Sequence, residues 1–410
     1  MRILFLTPQF PYPPHKGTTL RNYNLIAGLA PRHAIDLLSF ADSVPGSAPL
    51  TQLCRRIATV ALPRRPNWRR ALDTLLSPWP DMGLRLWSSA YRQQLATWLR
   101  EGAYDVIQVE GLELARYLLA LDPFSSNDMA HPRKGERPLI VFDDHNAEYL
   151  LQKRMAEAEI AARGWNAGAV YSSIQWRKLR SFERRVCGQS DRVVCVSTAD
   201  AAAIRQLDPA VKVHVIPNGV DTDFYQREKV TPLDLPPQTL VFTGTMDFRP
   251  NVDAVLWFAQ AVLPLIKPQV PDLQVYIVGQ RPHARLEVLR ADRAITITGA
   301  VDDTRPYITA ASVYIVPLRM GGGTRLKLLE ALALQAPIVS TTLGAEGFAV
   351  TNGRELLLAD EAASFAQAII ELLEDRGRVQ ALRAAGRSFA VQHYDWRSIV
   401  PQLEEVYNRS

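Results

Sequence analysis

Three consecutive glycines, Gly321, Gly322 and Gly323, precede Thr324, Arg325, Lys327 and Glu330. Glycine permits a tight turn and lets a ligand come close to the backbone. Thr324 suits an N-cap, and good helix formers fill residues 325–335, so a helix is expected from Thr324 to Gln335. A glycine turn opening a helix presents N–H groups and the positive end of the helix dipole, which suits an anion and most naturally a phosphate. Cations in a first helical turn oppose that dipole, so Arg325 and Lys327 make more sense as phosphate ligands than as helix stabilisers. Glu330 falls about 9 Å along the axis from Thr324 at about 1.5 Å per residue, so a diphosphate at the helix mouth would set an attached ribose near its carboxylate. A plain glycine-rich connection before a surface helix would use the same residue types.

Other groups stand where strands should end. Asp143, Asp144, His145, Asn146 and Glu148 follow the apolar run Leu139–Phe142. Such a run could suggest a metal site, but no second histidine or carboxylate cluster has ligand spacing, and no metal is expected. Asp144 or Asn146 capping a helix, with His145 on the surface, is the alternative. Gly17 and Arg21 lie at the first strand-to-helix connection, after four prolines. Arg21 suits an anionic acceptor or an exposed helix charge equally. Arg249 follows the first strand of the second half, and its guanidinium could hold phosphate oxygens through two parallel hydrogen bonds. Gly299 and Val301 sit on another loop after a strand.

The elements that would position these residues alternate along the chain. Strands are expected at Arg2–Thr7, Ala34–Phe40, Ile57–Ala61, Tyr104–Val109, Leu139–Phe142, Arg192–Val196 and Val211–Ile216. A second series runs Leu240–Thr243, Gln274–Val278, Ala294–Ile297, Val313–Val316 and Ile338–Ser340. Helices are expected between them, including Thr18–Leu29, Leu84–Arg100, Leu112–Leu121 and a long region Ala147–Val186 broken near Gly164 to Gly168. Ser125–Arg137 reads as a surface loop. Strand–helix alternation means parallel sheets with helices on both faces, and open sheets of this kind bind ligands at the carboxyl ends of their strands. A length of 410 residues suits two such domains. The boundaries are placed at 1–217, 218–390 and a terminal segment 391–410.

Composition limits the function classes. A hydrophobic fraction of 47% and a charged fraction of 22% are those of a globular protein. No run of 18 or more apolar residues occurs, so no membrane-spanning helix is expected. The start MRILFLTPQF reads as a first buried strand rather than a signal peptide. Cys54, Cys187 and Cys195 are odd in number and widely spaced, which suggests a reduced, cytoplasmic protein without a disulfide framework. The net charge of +5 favours anionic partners such as nucleotide diphosphates or lipid head groups without requiring nucleic acid. No G-x-G-x-x-G follows the first strand, which speaks against a dinucleotide-dependent dehydrogenase.

The run GGGTRLKLLEALALQAPIVSTTLGAEG resembles the donor-binding signature of family-4 retaining glycosyltransferases of the GT-B fold. PNGVD, TGTMDFRPN and GAVDD fall where that family carries comparable features. The resemblance is strong over roughly 218–388 and weaker before it. It implies two Rossmann-like domains facing across a cleft, with the final helix crossing back to the first. It implies that Glu330 binds the ribose of a nucleotide sugar, and that Gly299 and Val301 let backbone groups meet the nucleobase. The chain departs from the family at Gly322, where a first glutamate is usual, and the N–H groups of Gly322 and Gly323 could replace it. Asn251 stands where a second basic residue is usual. A histidine placed like His145 contacts the sugar and the reacting centre, with Asp144 and Asn146 beside it. Gly17 and Arg21 fall on a loop that closes over the donor phosphates and borders the acceptor.

The expected activity is retaining transfer of a sugar from a nucleotide-diphosphate sugar, a co-substrate rather than a cofactor, to a hydroxyl of a glycan or lipid-linked acceptor, without a metal. A nucleotide-sugar epimerase of the same fold and a catalytically silent nucleotide-binding protein are the rivals. Residues 62–100 carry four of the eight tryptophans and many arginines. That pairing suits a membrane–water interface and peripheral contact with an anionic membrane at the cytoplasmic face, but it is not the preferred reading. A domain surface with inward tryptophans and solvated arginines is its alternative.

Overall fold

The computed structural model describes every residue except 15–16, 44–48, 122–136, 322–324 and 409–410, and leaves out the side chains of 158, 162 and 163. The chain forms two α/β units, Met1–Pro217 with Ile399–Ser410, and Asn218–Ser398. The expected loop 125–137 falls almost wholly outside the described residues.

The first unit is built on seven parallel strands: β1 (Arg2–Thr7), β2 (Ala34–Phe40), β3 (Arg56–Val60), β4 (Val106–Glu110), β5 (Leu139–Asp144), β6 (Arg192–Cys195) and β7 (Val213–Val215). Their spatial order is β3-β2-β1-β4-β5-β6-β7. Ile3, Leu4, Phe5 and Leu6 of β1 are wholly buried, as expected of a strand covered on both faces. Connections run outward in opposite directions from β1 and β4, so the topological switch point lies between these two strands.

Helix Gly17–Leu29 buries Leu25, Ile26 and Leu29. The terminal segment packs beside it. A Cβ on Gly28 would lie 2.5 Å from Val400 Cγ2, so the missing side chain admits the returning chain. Glu404 then accepts from Arg32 at 2.8 Å and pairs with His33 at 2.7 Å.

The second unit has six parallel strands: β8 (Thr239–Thr243), β9 (Gln274–Val278), β10 (Ile295–Gly299), β11 (Val313–Val316), β12 (Ile338–Ser340) and β13 (Leu357–Leu358). Their order, β10-β9-β8-β11-β12-β13, puts the switch point between β8 and β11. The ends of β8 and β9 approach so closely that a Cβ on Gly279 would lie 1.7 Å from Gly244 O.

Several elements differ from expectation. Leu84–Arg100 is two helices, Asp81–Arg85 and Ser89–Glu101, because Ser88 adopts extended backbone and accepts at Oγ from Tyr91 N. The helix Asn67–Leu76, entered through Pro66, was not expected. The helix expected from Thr324 spans Leu326–Ala333, and Arg325 occupies its N-cap position without a side-chain cap. Ala147–Val186 is an antiparallel pair, Glu148–Arg163 and Ala167–Gln189, divided at Gly164 with φ 68.

Candidate functional site

Two clusters gather at the two switch points. In the second unit the chain leaves β11 and turns at Gly321, where φ is 107. A Cβ there would lie 3.0 Å from Pro250 Cγ and 3.6 Å from Arg325 Nη2, so the turn presses against both the helix Arg249–Trp257 and the Arg325 guanidinium. Gly322, Gly323 and Thr324 lie outside the described residues. Arg325 is buried.

Lys327 Nζ donates to Asn251 Oδ1 at 2.9 Å and lies 4.1 Å from the centre of the Phe242 ring. A Cβ on Gly244 would sit 2.8 Å from that Nζ and 2.7 Å from Asn251 Nδ2. Gly244 therefore leaves the space the amine occupies. Burial pulls the Lys327 amine down to about 7, with Arg325 adding to the effect and Glu330 opposing it. An amine so desolvated regains its charge when an anion arrives. Asn251 takes no cationic role of its own. It accepts from Lys327 and donates to Thr245 O at 2.9 Å, holding the amine at the end of β8.

One turn further, Glu330 Oε1 accepts from Tyr225 Oη at 3.0 Å. Burial raises its carboxyl above the usual range against the opposing pull of Tyr225 and Lys327. Arg387 fixes the tyrosine by donating to Tyr225 O at 2.8 Å and to Ala333 O at 2.8 Å. Arg249 is exposed at the start of its helix. Gly299 ends β10 with φ 74 and open space where a Cβ would be, while half-buried Val301 packs against the core.

In the first unit Arg21 is only 2% exposed. Its Nε and Nη2 donate to Asp143 Oδ2 at 3.0 and 2.7 Å, and Nη1 donates to Pro217 O at 3.1 Å. Arg21 is thus neither an exposed helix charge nor a mobile acceptor ligand. It lies on the inward face of its helix and matches a buried carboxylate, and losing one member of such a pair is costly. Gly17 opens that helix and is exposed.

His145 Nε2 pairs with Glu110 Oε2 at 2.9 Å. Burial alone would lower the imidazole, but the Glu110 hydrogen bond and the charges of Asp143 and Glu110 outweigh it and hold His145 above its ordinary value. Glu110 Oε1 accepts from Gln108 Nε2 at 2.9 Å, and Gln108 Oε1 accepts from Tyr407 Oη at 3.2 Å. Each donor in this line points toward Glu110. That fixes the Gln108 amide orientation and directs a proton on His145 Nε2 to Glu110, leaving Nδ1 on the side of Gly111. Gly111 has φ 79, and a Cβ there would lie 3.8 Å from Nδ1.

Asp144 does not join this cluster. It is buried behind it, and burial together with the neighbouring Glu183 raises it well above the carboxylate range. Glu183, pushed up to about 8 chiefly by burial, accepts from the N–H groups of Glu148 and Tyr149 at 3.0 and 2.9 Å. Asp200 accepts from Ala147 N at 3.0 Å. These acceptors hold the connection that carries His145. Asn146 donates to Glu148 Oε1 at 3.4 Å.

Glu110, Asp143 and His145 bring their ligand atoms within 4.8 Å of one another, a cluster the sequence spacing did not suggest. Arg21 already neutralises Asp143, and His145 donates to Glu110. A cation there would have to break both pairs, so the set reads as a hydrogen-bonded charge network. The overlooked members had a faint signal. Gln108 and Glu110 share one face of the otherwise apolar buried strand VIQVE. Tyr407 had none.

Residues 15–224 match the family model described as Glycosyltransferase Family 4, and residues 237–375 match Glycosyl transferases group 1. The chain belongs to glycosyltransferase family 4. It is 28% identical over 252 residues to a GDP-mannose-dependent alpha-(1-6)-phosphatidylinositol monomannoside mannosyltransferase of Mycobacterium tuberculosis, covering 55% of this chain and 64% of that protein. It is 25% identical over 183 residues to an "Uncharacterized 44.6 kDa protein in cps region" of Klebsiella pneumoniae, covering 43% and 47%. The matched stretch spans about half to two-thirds of these relatives. Among solved structures, sucrose-phosphate synthase from Thermosynechococcus elongatus has a TM-score of 0.70 at 17% identity over 99% of this chain and 98% of that one. Anabaena HepE in complex with UDP and glucose has a TM-score of 0.64 at 16% identity over 100% of both. At these identities the likeness carries the fold, which for this family-4 chain is GT-B with two parallel-sheet units.

Proposed function

We propose that this family-4 member is a retaining glycosyltransferase that moves a sugar from a nucleotide-diphosphate sugar to a hydroxyl of a glycan or lipid-linked acceptor, in polysaccharide or glycolipid biosynthesis. The observation that carries the reading is the Lys327 amine, held near neutrality by burial between Gly244, Asn251 and Arg325 beside the turn at Gly321. A diphosphate is the ligand that would recharge it, and Glu330 one turn on suits ribose hydroxyls. The nucleotide named in the HepE complex and the GDP-mannose and lipid acceptor named for the mycobacterial relative support donor and acceptor classes of this kind.

In the proposed reaction the bond between the anomeric carbon and the leaving phosphate oxygen breaks, and its electron pair stays on the diphosphate. Arg325, Lys327 and the helix dipole stabilise that growing charge, where most of the catalytic benefit arises. The acceptor oxygen attacks from the same face, and its proton passes to the leaving phosphate. His145, steadied by Glu110, polarises or positions the sugar. This course, implied by the family resemblance, asks for no metal, because protein cations meet the developing charge. Arg249, Gly299 and Val301 are assigned to the donor, and Gly17 and Asn146 to the acceptor side or closing loop. The enzyme is placed in the cytoplasm, at the inner face of a membrane when its acceptor is lipid-linked.

Incubation with radiolabelled nucleotide sugars, with and without membrane extract, tests this. Label should enter an acceptor only when extract is present, with the donor's anomeric configuration kept. Acceptor-independent release of free sugar or of an isomerised donor contradicts it.

A further inference from the structure

Helix Asn67–Leu76 is packed the wrong way round for a water-soluble surface. Thr74 is its one buried residue, and its inward contacts are polar. Arg65 pairs with Asp73 at 2.7 Å, Arg70 pairs with Asp81 at 3.2 Å, and Thr74 Oγ1 accepts from Gln175 at 3.3 Å. Its apolar residues face solvent instead: Trp68 is 69% exposed, Leu75 73% and Leu76 74%, with Leu72 at 48%. Positions 68, 72, 75 and 76 share one helical face.

The neighbouring helix Ala167–Gln189 extends this face. Thr74–Gln175 and Ser77–Lys178 contacts have the same offset of 101 residues, so the two helices run side by side in the same direction. That register brings the start of the second helix level with the start of the first. Trp165, Val170 and Tyr171 are exposed there. Fifteen large apolar side chains are exposed among the described residues, and eight lie in 62–76 and 165–171, so the exposure is concentrated in one region. Residues 62–76 contain four arginines against one aspartate, and Arg64 and Arg69 are exposed. Trp79, Trp87 and Trp98 take no part. The first lies edge-on to Phe182 at 5.6 Å, the second stacks on Tyr117 at 4.9 Å, and the third is buried.

We propose that helix Asn67–Leu76 and the turn at Trp165 form a docking face for an anionic lipid bilayer. Leucines would enter the acyl boundary, tryptophans would lie at head-group level, and arginines would meet lipid phosphates. The charge complementarity selects a bilayer over a second copy of this chain, whose identical face would bring arginine against arginine. The inference rests on the lipid-linked-acceptor reading for its purpose, not for its test.

Flotation with vesicles of phosphatidylcholine alone and mixed with phosphatidylglycerol is the experiment, using the full chain and two variants. One is Leu72→Ser/Leu75→Ser/Leu76→Ser, and the other is Trp165→Ser. These exposed changes should leave thermal unfolding unaltered. The wild type should float with phosphatidylglycerol vesicles and less so as salt rises. The triple variant should lose at least about tenfold in partitioning and Trp165→Ser a smaller factor. Nucleoside-diphosphate binding, measured in parallel, should not change. Wild-type protein that stays unbound at low salt, or a triple variant that floats undiminished, overturns the docking face. So does concentration-dependent self-association abolished by the same substitutions. Flotation without any nucleotide binding would refute the transferase reading and leave the docking face standing.

Discussion

The two switch points use opposite chemistry on similar frames. In the first unit, between β1 and β4, charge is balanced internally: Arg21 meets Asp143, and His145 meets Glu110. In the second, between β8 and β11, positive charge is concentrated where glycines bare the backbone, and burial keeps Lys327 near neutrality. The first arrangement fixes geometry without leaving net charge to attract an anion. The second suits an anion, as the proposed function requires. A parallel sheet thus provides a place for a ligand, and the side chains at its strand ends decide whether that place positions or binds.

The largest expected effect separates these roles kinetically. His145→Ala should lower kcat by roughly 10²–10⁴-fold with donor KM little changed, the range for a positioned acid–base side chain. Glu330→Ala should act mainly on donor KM, because a ribose contact is shared by ground and transition states. Steady-state kinetics with a folding check measures both, and wild-type kcat in His145→Ala would break the comparison.

Next in size is the support behind His145. Glu110→Gln should lower kcat by about tenfold or more and shift the pH–rate profile to lower pH, since the carboxylate holds the imidazole up. Tyr407→Phe should produce the same shift in smaller measure, with donor KM unaltered. A profile unmoved by either change would reduce the line from Tyr407 to His145 to packing.

Much of this arrangement could be read in the sequence, but unevenly. Strand positions were legible because buried parallel strands are short apolar runs. The turn at Gly321 was legible because glycine tolerates the positive φ found there, while Gly322, Gly323 and Thr324 lie outside the described residues. Arg21 was not, since its partner Asp143 is 122 residues away and a helix pattern does not reveal which side an arginine faces. Tyr407 meets Gln108 across 299 residues, a pairing that only the fold creates. The tryptophans of 62–100 illustrate the same limit. Composition suggested one interfacial segment, whereas Trp68 faces solvent and Trp79, Trp87 and Trp98 pack against the unit.

The smallest effect concerns pH and local stability. Burial pushes Asp143 to about 6, Glu148 to about 7 and Glu183 to about 8. Between the ordinary carboxylate range and these values an opened segment releases protons that the closed one keeps, so closure weakens as pH rises. His145, held above its ordinary value, acts in the same direction, because its stabilisation is full at lower pH and lost as pH rises through its folded value. Helix Leu326–Ala333 should behave oppositely above about 7, where an opened Lys327 takes up a proton that the closed one lacks. Hydrogen exchange corrected for intrinsic rate should therefore show residues 144–150 losing protection from the ordinary carboxylate range up to about pH 8, while the helix gains above about pH 7. Parallel behaviour of the two segments would remove the contrast.

The central claim is that the second unit binds the nucleotide and the first does not. Calorimetric titration with a nucleoside diphosphate, in two buffers of different ionisation enthalpy, tests it directly. Wild type and His145→Ala should bind alike and take up a proton near neutral pH, as the Lys327 amine is recharged. Lys327→Ala should lose ~1.5–3 kcal/mol of affinity and the proton uptake together, and Arg325→Ala should lose affinity in the same range. Undiminished binding in both the Lys327 and Arg325 variants, or loss of binding in His145→Ala alone, would contradict the assignment.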